Sequence, residues 1–182
     1  MQNLLEGLKL IRLNSETNIL PFDCKDADLN GFLFDDAKKH SENLIAVTYI
    51  LQDDKNTVAY FNYLNDKISH TDIGGEKSLE LFAKRVGTFL PIGKGDYKSY
   101  PAVKIGRLAV NESNQIGGIG RMIIDYTKNN FIINNKTGCK FITVDAYRKS
   151  LGFYEKMGFR FLSSRDKNSD TRLMYFNLES LT

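Results

Sequence analysis

Apolar and β-branched residues come in short bursts separated by polar tracts, the pattern of a chain that alternates strands with amphipathic helices. Leu8 to Leu13 reads as a first short strand, and Asn14 to Lys25, polar and interrupted by Pro21, as the connection after it. From Asp28 the period changes. Leu29, Phe32, Leu33 and Ala37 recur at three and four, with Asp26 or Asp28 available as an N-cap, so a helix with one apolar face is predicted. Ala46 to Leu51 and Val58 to Leu64 are β-branched and aromatic runs on either side of the polar tract Gln52 to Thr57, which predicts a hairpin.

The stretch from Asp66 to Tyr100 is long for a single loop, and Leu79, Leu81, Phe82 and Val86 place a helix within it at Ser78 to Val86. A Gly/Lys-rich loop, Gly93 to Ser99, follows. Pro101 to Val110 reads as a strand, Gly118 to Ile133 as a helix with Ile119, Met122, Ile123 and Tyr126 on one face, and Lys140 to Ala146 as another strand. This is a βαβ unit, so its two strands are expected to be parallel. Leu151 to Met157 predicts a short helix closed by Gly158 as a left-handed C-cap, and Phe159 to Leu162 with Leu173 to Leu178 a terminal hairpin. The order of elements is that of a mixed α/β (α+β) fold.

A length of 182 residues suits one domain, and 42% hydrophobic with 12% aromatic residues is enough to bury a core. The net charge of +3 is compatible with an anionic partner but does not mark a dedicated nucleic-acid binder. Cys24 and Cys139 cannot build a disulfide framework and lie in no zinc-type cluster, so both read as buried or half-buried thiols. His40 and His70 form no HExxH or HxH pattern, which leaves little material for a metal site or a Ser/His/Asp triad. No run of about 18 apolar residues occurs, and the expected location is the cytoplasm, without a membrane.

The most informative segment is Gln115 to Arg121, Gln-Ile-Gly-Gly-Ile-Gly-Arg, between a predicted strand and a predicted helix. At such a junction the free N–H groups of the first helical turn and the positive end of the helix dipole point out of the fold, where a phosphate can sit. Glycines at 117, 118 and 120 clear the way to those amides, and Arg121 adds a full charge. A Walker loop ends Gly-Lys-Ser/Thr, whereas this one ends Gly120-Arg121-Met122. A dinucleotide fingerprint needs a third glycine where Ile123 stands. Both readings fail, leaving a different anion site or a tightly packed turn without a ligand.

The pattern Gln-x-x-Gly-x-Gly after the strand Gly106-Arg-Leu-Ala-Val110 resembles the acetyl-CoA pyrophosphate segment of the GNAT acetyltransferase superfamily, and Phe153-Tyr-Glu-Lys-Met-Gly-Phe159 is similar to that family's closing helix and strand. The resemblance implies a single N-acetyltransferase domain over residues 1–182. Its fold would be a GNAT-like, mostly antiparallel central sheet flanked by helices, with parallel strands splayed at the cofactor by a bulge before the glycine segment. It implies that the backbone of Leu108, Ala109 and Val110 holds the pantetheine arm, with a Val110 amide polarising the thioester carbonyl in the manner of an oxyanion hole. Gln115, Gly117, Gly118, Ile119, Gly120 and Arg121 would hold the pyrophosphate, the strand around Asp145 would form the other wall, and Tyr154 would protonate the departing thiolate. Tyr147 stands where many members carry a cofactor-contacting asparagine.

Many members also place a carboxylate on the strand before the glycine segment, where this chain has Lys104 and Arg107. A cationic strand suits an amine of low pKa, or one on an anionic body. The opening Phe22-Asp-Cys-Lys with Leu29, Phe32 and Leu33 is similar to GNAT toxins that acetylate aminoacyl-tRNA, whose substrate combines both properties. A local patch from Lys84, Arg85, Lys94, Lys98, Lys104 and Arg107 would attract the tRNA. The alternatives are a non-catalytic CoA-binding sensor or subunit and an acyltransferase for a small metabolite, a protein N-terminus or an O-acceptor. No metal is expected, and the sequence leaves acceptor, acyl-chain length and oligomeric state open.

Overall fold

The computed structural model describes residues 7–87, 99–133 and 137–182. Seven strands form one sheet in the order β1-β2-β3-β4-β5-β7-β6. In chain order these are β1 (Lys9–Arg12), β2 (Val47–Gln52), β3 (Thr57–Ser69), β4 (Ser99–Val110), β5 (Phe141–Tyr147), β6 (Arg160–Phe161) and β7 (Thr171–Asn177). β1–β2, β2–β3, β5–β7 and β6–β7 pair antiparallel. β4 and β5 are neighbours joined by the crossover helix α5 (Ile119–Ile132), the connection that makes a strand pair parallel. The sheet is therefore mixed and mostly antiparallel, as expected.

Contacts cluster into two compact units, residues 1–64 with 105–127 and residues 65–104 with 128–182. In the first, Asp26 caps α1 (Ala27–Gly31) by accepting the Leu29 N–H at 3.3 Å. The predicted helix then loosens into a π segment, Phe32–Asp36, closed by the Ala37 N–H bonding Phe32 O, before α2 (Ala37–Glu42) resumes. The inserted residue shifts the apolar face by about 100°, so Phe32, Leu33 and Ala37 are buried while Phe34 is half exposed. These three pack with Leu13, Phe22, Ile50, Tyr60 and Ala109 as the unit's core.

On α5 the buried residues are Ile119, Ile123, Ile124 and Thr127. Met122 is only half-buried and Tyr126 is 38% exposed, which corrects the predicted face by part of a turn. The polar Thr127 is accommodated because its hydroxyl bonds Ile123 O at 2.7 Å and meets the Tyr63 hydroxyl at 2.8 Å.

In the second unit β3 continues to Ser69, where the sequence predicted a loop from Asp66. The polar residues that hid this strand have partners there: the Thr143 hydroxyl donates to Asp66 at 2.5 Å. A one-turn helix, α3 (His70–Ile73), and α4 (Glu76–Arg85) follow, and α4 seats Phe82 and Ala83 among Ile68, Tyr100, Ala102, Phe141, Leu162 and Tyr175. Residues 93–98 of the Gly/Lys-rich loop lie outside the described residues. α6 (Leu151–Lys156) ends at Gly158 with φ +84°, the left-handed conformation predicted for it. The β6–β7 hairpin forms as predicted, with β7 the strand that pairs β5.

Candidate functional site

In the first unit, β4 carries a bulge at its centre. A Cβ at Gly106 would run into the side chains of Asn62 and Leu64, so Gly106 presents to the same face of β3 that bears Tyr60. Arg107, the next residue, reaches the same side, its guanidinium 4.1 Å from the Phe32 ring centre. Two consecutive residues facing one way break the alternation of a strand. The Arg107 N–H bonds the Asn62 side-chain oxygen at 2.7 Å. The expected bulge is thus present, built by a glycine and a buried asparagine.

Past the bulge, Asn111 N–H returns to Val58 O at 2.8 Å. Since Arg107 and Asn111 direct their N–H groups to β3, alternation turns the main-chain groups of Leu108 and Val110 to the opposite edge. Ala109 stays with β3 and buries its side chain. Val110 O accepts the Gln115 side-chain amide at 3.2 Å, and that amide also reaches Cys24 O at 3.4 Å. The Gln115 side chain therefore holds the turn to the strand end.

The chain from Glu112 to Gly117 makes a short 3₁₀ helix with no buried residue, and Ile116 at its tip is fully exposed. Gly118 follows with φ +77°, a conformation that costs a residue with a Cβ on the order of 1–2 kcal/mol. α5 starts immediately after it, with Met122 N–H bonding Gly118 O at 3.1 Å as the first helical bond. The N–H groups of Ile119, Gly120 and Arg121 have no carbonyl four residues back within the helix. Among the described residues, a Cβ at Gly117 or Gly118 would meet nothing within 4 Å, so open space adjoins these amides. Arg121 is exposed and makes no ion pair among the described residues. The donor set is what an anionic diphosphate needs.

The second unit holds the other two expected positions. Tyr154 is 6% exposed, set edge-on between Phe153 at 5.1 Å and Phe159 at 5.4 Å. Burial pushes its phenol well above the ordinary tyrosine range, so the hydroxyl keeps its proton. No hydrogen bond among the described residues reaches that hydroxyl. Asp145, half exposed on β5, accepts from Lys104 at 2.9 Å, and Lys104 lies 3.8 Å from Asp66. Burial pulls Lys104 down, but the hydrogen bond to Asp145 and the charges of Asp145, Asp66 and Asp72 outweigh it and raise its pKa.

Of the cations expected to form a patch, Lys104, Arg107 and Arg85 have partners close by, while Lys84 is exposed. Lys104 sits in its carboxylate pair, Arg107 faces Asp28 at 3.8 Å, and Arg85 lies over the Phe82 and Tyr175 rings while donating to Leu162 O at 3.3 Å. Lys94 and Lys98 lie outside the described residues. Sequence reasoning saw Lys104 as a free charge because the two carboxylates that compensate it sit on other strands. Both thiols are half-buried, as expected, and burial pushes both upward, away from the thiolate an acyl-cysteine route would need.

A family model described as an acetyltransferase (GNAT) domain matches residues 51–179, well over half of the chain. The chain belongs to the GNAT acetyltransferase family. It is thereby an acyltransferase by family. Solved structures with the same fold include a tyrosine-to-phenylalanine mutant of the toxin KacT, 22% identical over 96% of this chain and 97% of that one, with a TM-score of 0.75. A second, described as a bacterial toxin, is 16% identical over 96% and 92% of the two chains, also at 0.75. AtaT complexed with acetyl-methionyl-tRNAfMet is 21% identical over 96% of each chain, at 0.72. No helix among the described residues is long and apolar enough to cross a membrane.

Proposed function

We propose that residues 1–182 act as one N-acetyltransferase domain that moves the acetyl group of acetyl-CoA directly to a primary amine, the α-amino group of an aminoacyl-tRNA. The observation that carries the first half is the glycine turn: three amides at the start of α5 with no carbonyl four residues back within the helix, open space beside Gly117 and Gly118, and an exposed Arg121. The second half is supported by the fold shared with AtaT, solved with acetyl-methionyl-tRNAfMet.

Acetyl-CoA, when bound, supplies the activated thioester. The amides of Ile119, Gly120 and Arg121, with Gly117 and Gly118 leaving room and Gln115 fixing the turn, hold its pyrophosphate. The outward main chain of Leu108 and Val110 lines up the pantetheine arm as a strand edge, and Ala109 anchors that edge to the core. The Val110 amide draws on the carbonyl oxygen as the amine attacks. The amine would release one proton to water as the amide forms, and Tyr154 would give its proton to the leaving sulfur and regain one from solvent, a role its raised pKa suits because the phenol is protonated throughout the working range. Asp145 acts through Lys104, fixing that ammonium on β4.

An α-amino group, with a pKa near about 8, is substantially neutral at working pH and asks little of a general base. This suits a β4 whose side chains at 104 and 107 are cations rather than a carboxylate.

The test is melting temperature with acetyl-CoA, with ATP and NAD as controls, followed by acetylation of charged tRNA across salt. At about a hundredfold excess over Kd, acetyl-CoA adds about 2.7 kcal/mol to stability, and ATP and NAD add none. Rates on charged tRNA fall from about 50 to about 300 mM salt. Absence of a shift in ligand-free protein refutes the cofactor assignment, and rates indifferent to salt refute the tRNA acceptor.

A further inference from the structure

The glycine turn has no apolar anchor. Between the buried Ala109 and the buried Ile119, none of the residues Glu112–Gly117 is buried, so hydrogen bonds alone set where this segment stands. Among the described residues, its bonds outside its own stretch go to two places. One is the end of β4 and the residue after it: Gln115 donates to Val110 O, and the N–H groups of Ser113 and Asn114 donate to the side-chain oxygen and carbonyl of Asn111, which is itself bonded to Val58 O and Thr57 O on β3. The other is the opening loop before α1: Glu112 N–H donates to Asp23 O at 2.9 Å, Gln115 donates to Cys24 O at 3.4 Å, and the Lys25 ammonium lies 3.3 Å from the Glu112 carboxylate.

That loop is itself locked by two side chains. The Asp23 carboxylate accepts from Lys25 N at 2.8 Å, from the Lys25 ammonium at 2.9 Å and from the Asn30 amide at 2.8 Å. The Asn30 oxygen takes the Cys24 N–H at 3.0 Å and its thiol at 3.1 Å. Lys25 is held with φ +62°, a conformation a lysine keeps only when its surroundings impose it. Asn30 sits on α1, whose continuation is pinned in the core by Phe32 and Leu33. A chain of bonds therefore runs from buried helix to Asn30, to Asp23, to the carbonyls of residues 23 and 24, and on to the turn.

We propose that the loop Phe22–Lys25 is a brace for the glycine turn, and that Asp23 and Asn30 are positioning residues that set affinity for acetyl-CoA without touching it. The proposal rests on the reading that this turn binds acetyl-CoA. It assigns a task to the opening motif that the transfer reaction leaves unused. Three consecutive α5 amides serve a diphosphate only when the turn before them is fixed, because donors displaced by about 1 Å lose most of their value.

The experiment compares Asn30→Ala and Asp23→Ala with Leu13→Ala, a core truncation in the same unit. Each is assayed well below its own melting temperature by calorimetric titration with acetyl-CoA, by steady-state kinetics and by amide hydrogen exchange. The brace variants are expected to raise Kd and KM for acetyl-CoA about tenfold with kcat within about twofold, and to speed exchange in Glu112 to Arg121 selectively. Leu13→Ala is expected to lower the melting temperature at least as much while leaving Kd within about twofold. Wild-type affinity in both brace variants overturns the proposal, as does equal weakening in Leu13→Ala, which would make the effect one of general stability. Wild-type protein that binds no acetyl-CoA overturns the underlying reading instead, and the exchange data then decide separately whether the loop braces the turn.

Discussion

The glycine turn and the Tyr154 helix are built on opposite principles. The turn is exposed, backbone-made and polar, anchored by hydrogen bonds to carbonyls, with an isoleucine at its tip touching nothing. Tyr154 is buried and side-chain-made, gripped by two aromatic rings, its main-chain oxygen accepting from Met157 and Phe159 at 3.0 Å each. A surface that must receive a large anion offers amides and stays clear of side chains. A group that must hold one proton at one place is better kept dry, where burial both fixes the ring and keeps the phenol neutral. The contrast implies separable failures: damage to the turn should appear in binding, damage at Tyr154 in chemistry.

Tyr154→Phe tests that separation with the largest expected effect. It removes one oxygen from a site with no hydrogen bond to lose among the described residues, so the fold and the acetyl-CoA Kd should hold within about twofold while kcat falls by about two to four orders of magnitude. Because the raised pKa keeps the phenol protonated, wild-type kcat should show no loss from Tyr154 up to about pH 10. A kcat unchanged in Tyr154→Phe would remove the acid role from Tyr154 and leave protonation of the thiolate to another group or to solvent.

The second comparison sits inside the turn. Gly117 and Gly118 both face open space, but only Gly118 has a positive φ. Gly117→Val should leave the melting temperature nearly untouched and weaken acetyl-CoA about tenfold or more, since its bulk enters the volume the anion needs. Gly118→Ala adds only a methyl and should cost about 1 kcal/mol of stability from its backbone. Equal affinity for acetyl-CoA in wild type and Gly117→Val would place the pyrophosphate elsewhere.

How much of this was legible in the sequence follows the same division. Backbone-made features announce themselves in local strings: Gln115 to Gly120 as a turn, Gly158 as a cap, the βαβ order as a parallel pair. Features made by side chains from distant strands do not. Nothing near Lys104 in the chain points to Asp66 or Asp145, so a compensated lysine read as a free cation. Asp66 itself disguised four residues of strand as loop, because a polar residue in β3 is intelligible only once Thr143 is beside it. The π segment at Phe32–Asp36 was invisible for another reason: one extra residue per turn shifts a face without changing which residue types occupy it.

The smallest effect concerns acid. Asp23 is held below the ordinary carboxylate range, first by the Lys25 ammonium, then by the Lys25 N–H and the Asn30 amide. A carboxylate with a depressed folded-state pKa contributes stability that is complete above its unfolded value, near about 3.9, and is lost as pH falls through the folded value. Asp23 should therefore cause no change at the turn between neutral pH and about pH 4. Below that, protonating Asp23 should loosen the loop Phe22–Lys25 and with it the turn, while Tyr154 is held by the apolar ring contacts of Phe153 and Phe159, which do not titrate. Amide resonances of Gly117 and Gly118 followed by NMR should thus move before those of Met157 and Gly158 on acidification, and Asp23→Asn should erase that order. Simultaneous movement in wild type would mean that the two regions respond as one cooperative body and that the polar anchoring of the turn is not an independent weak point.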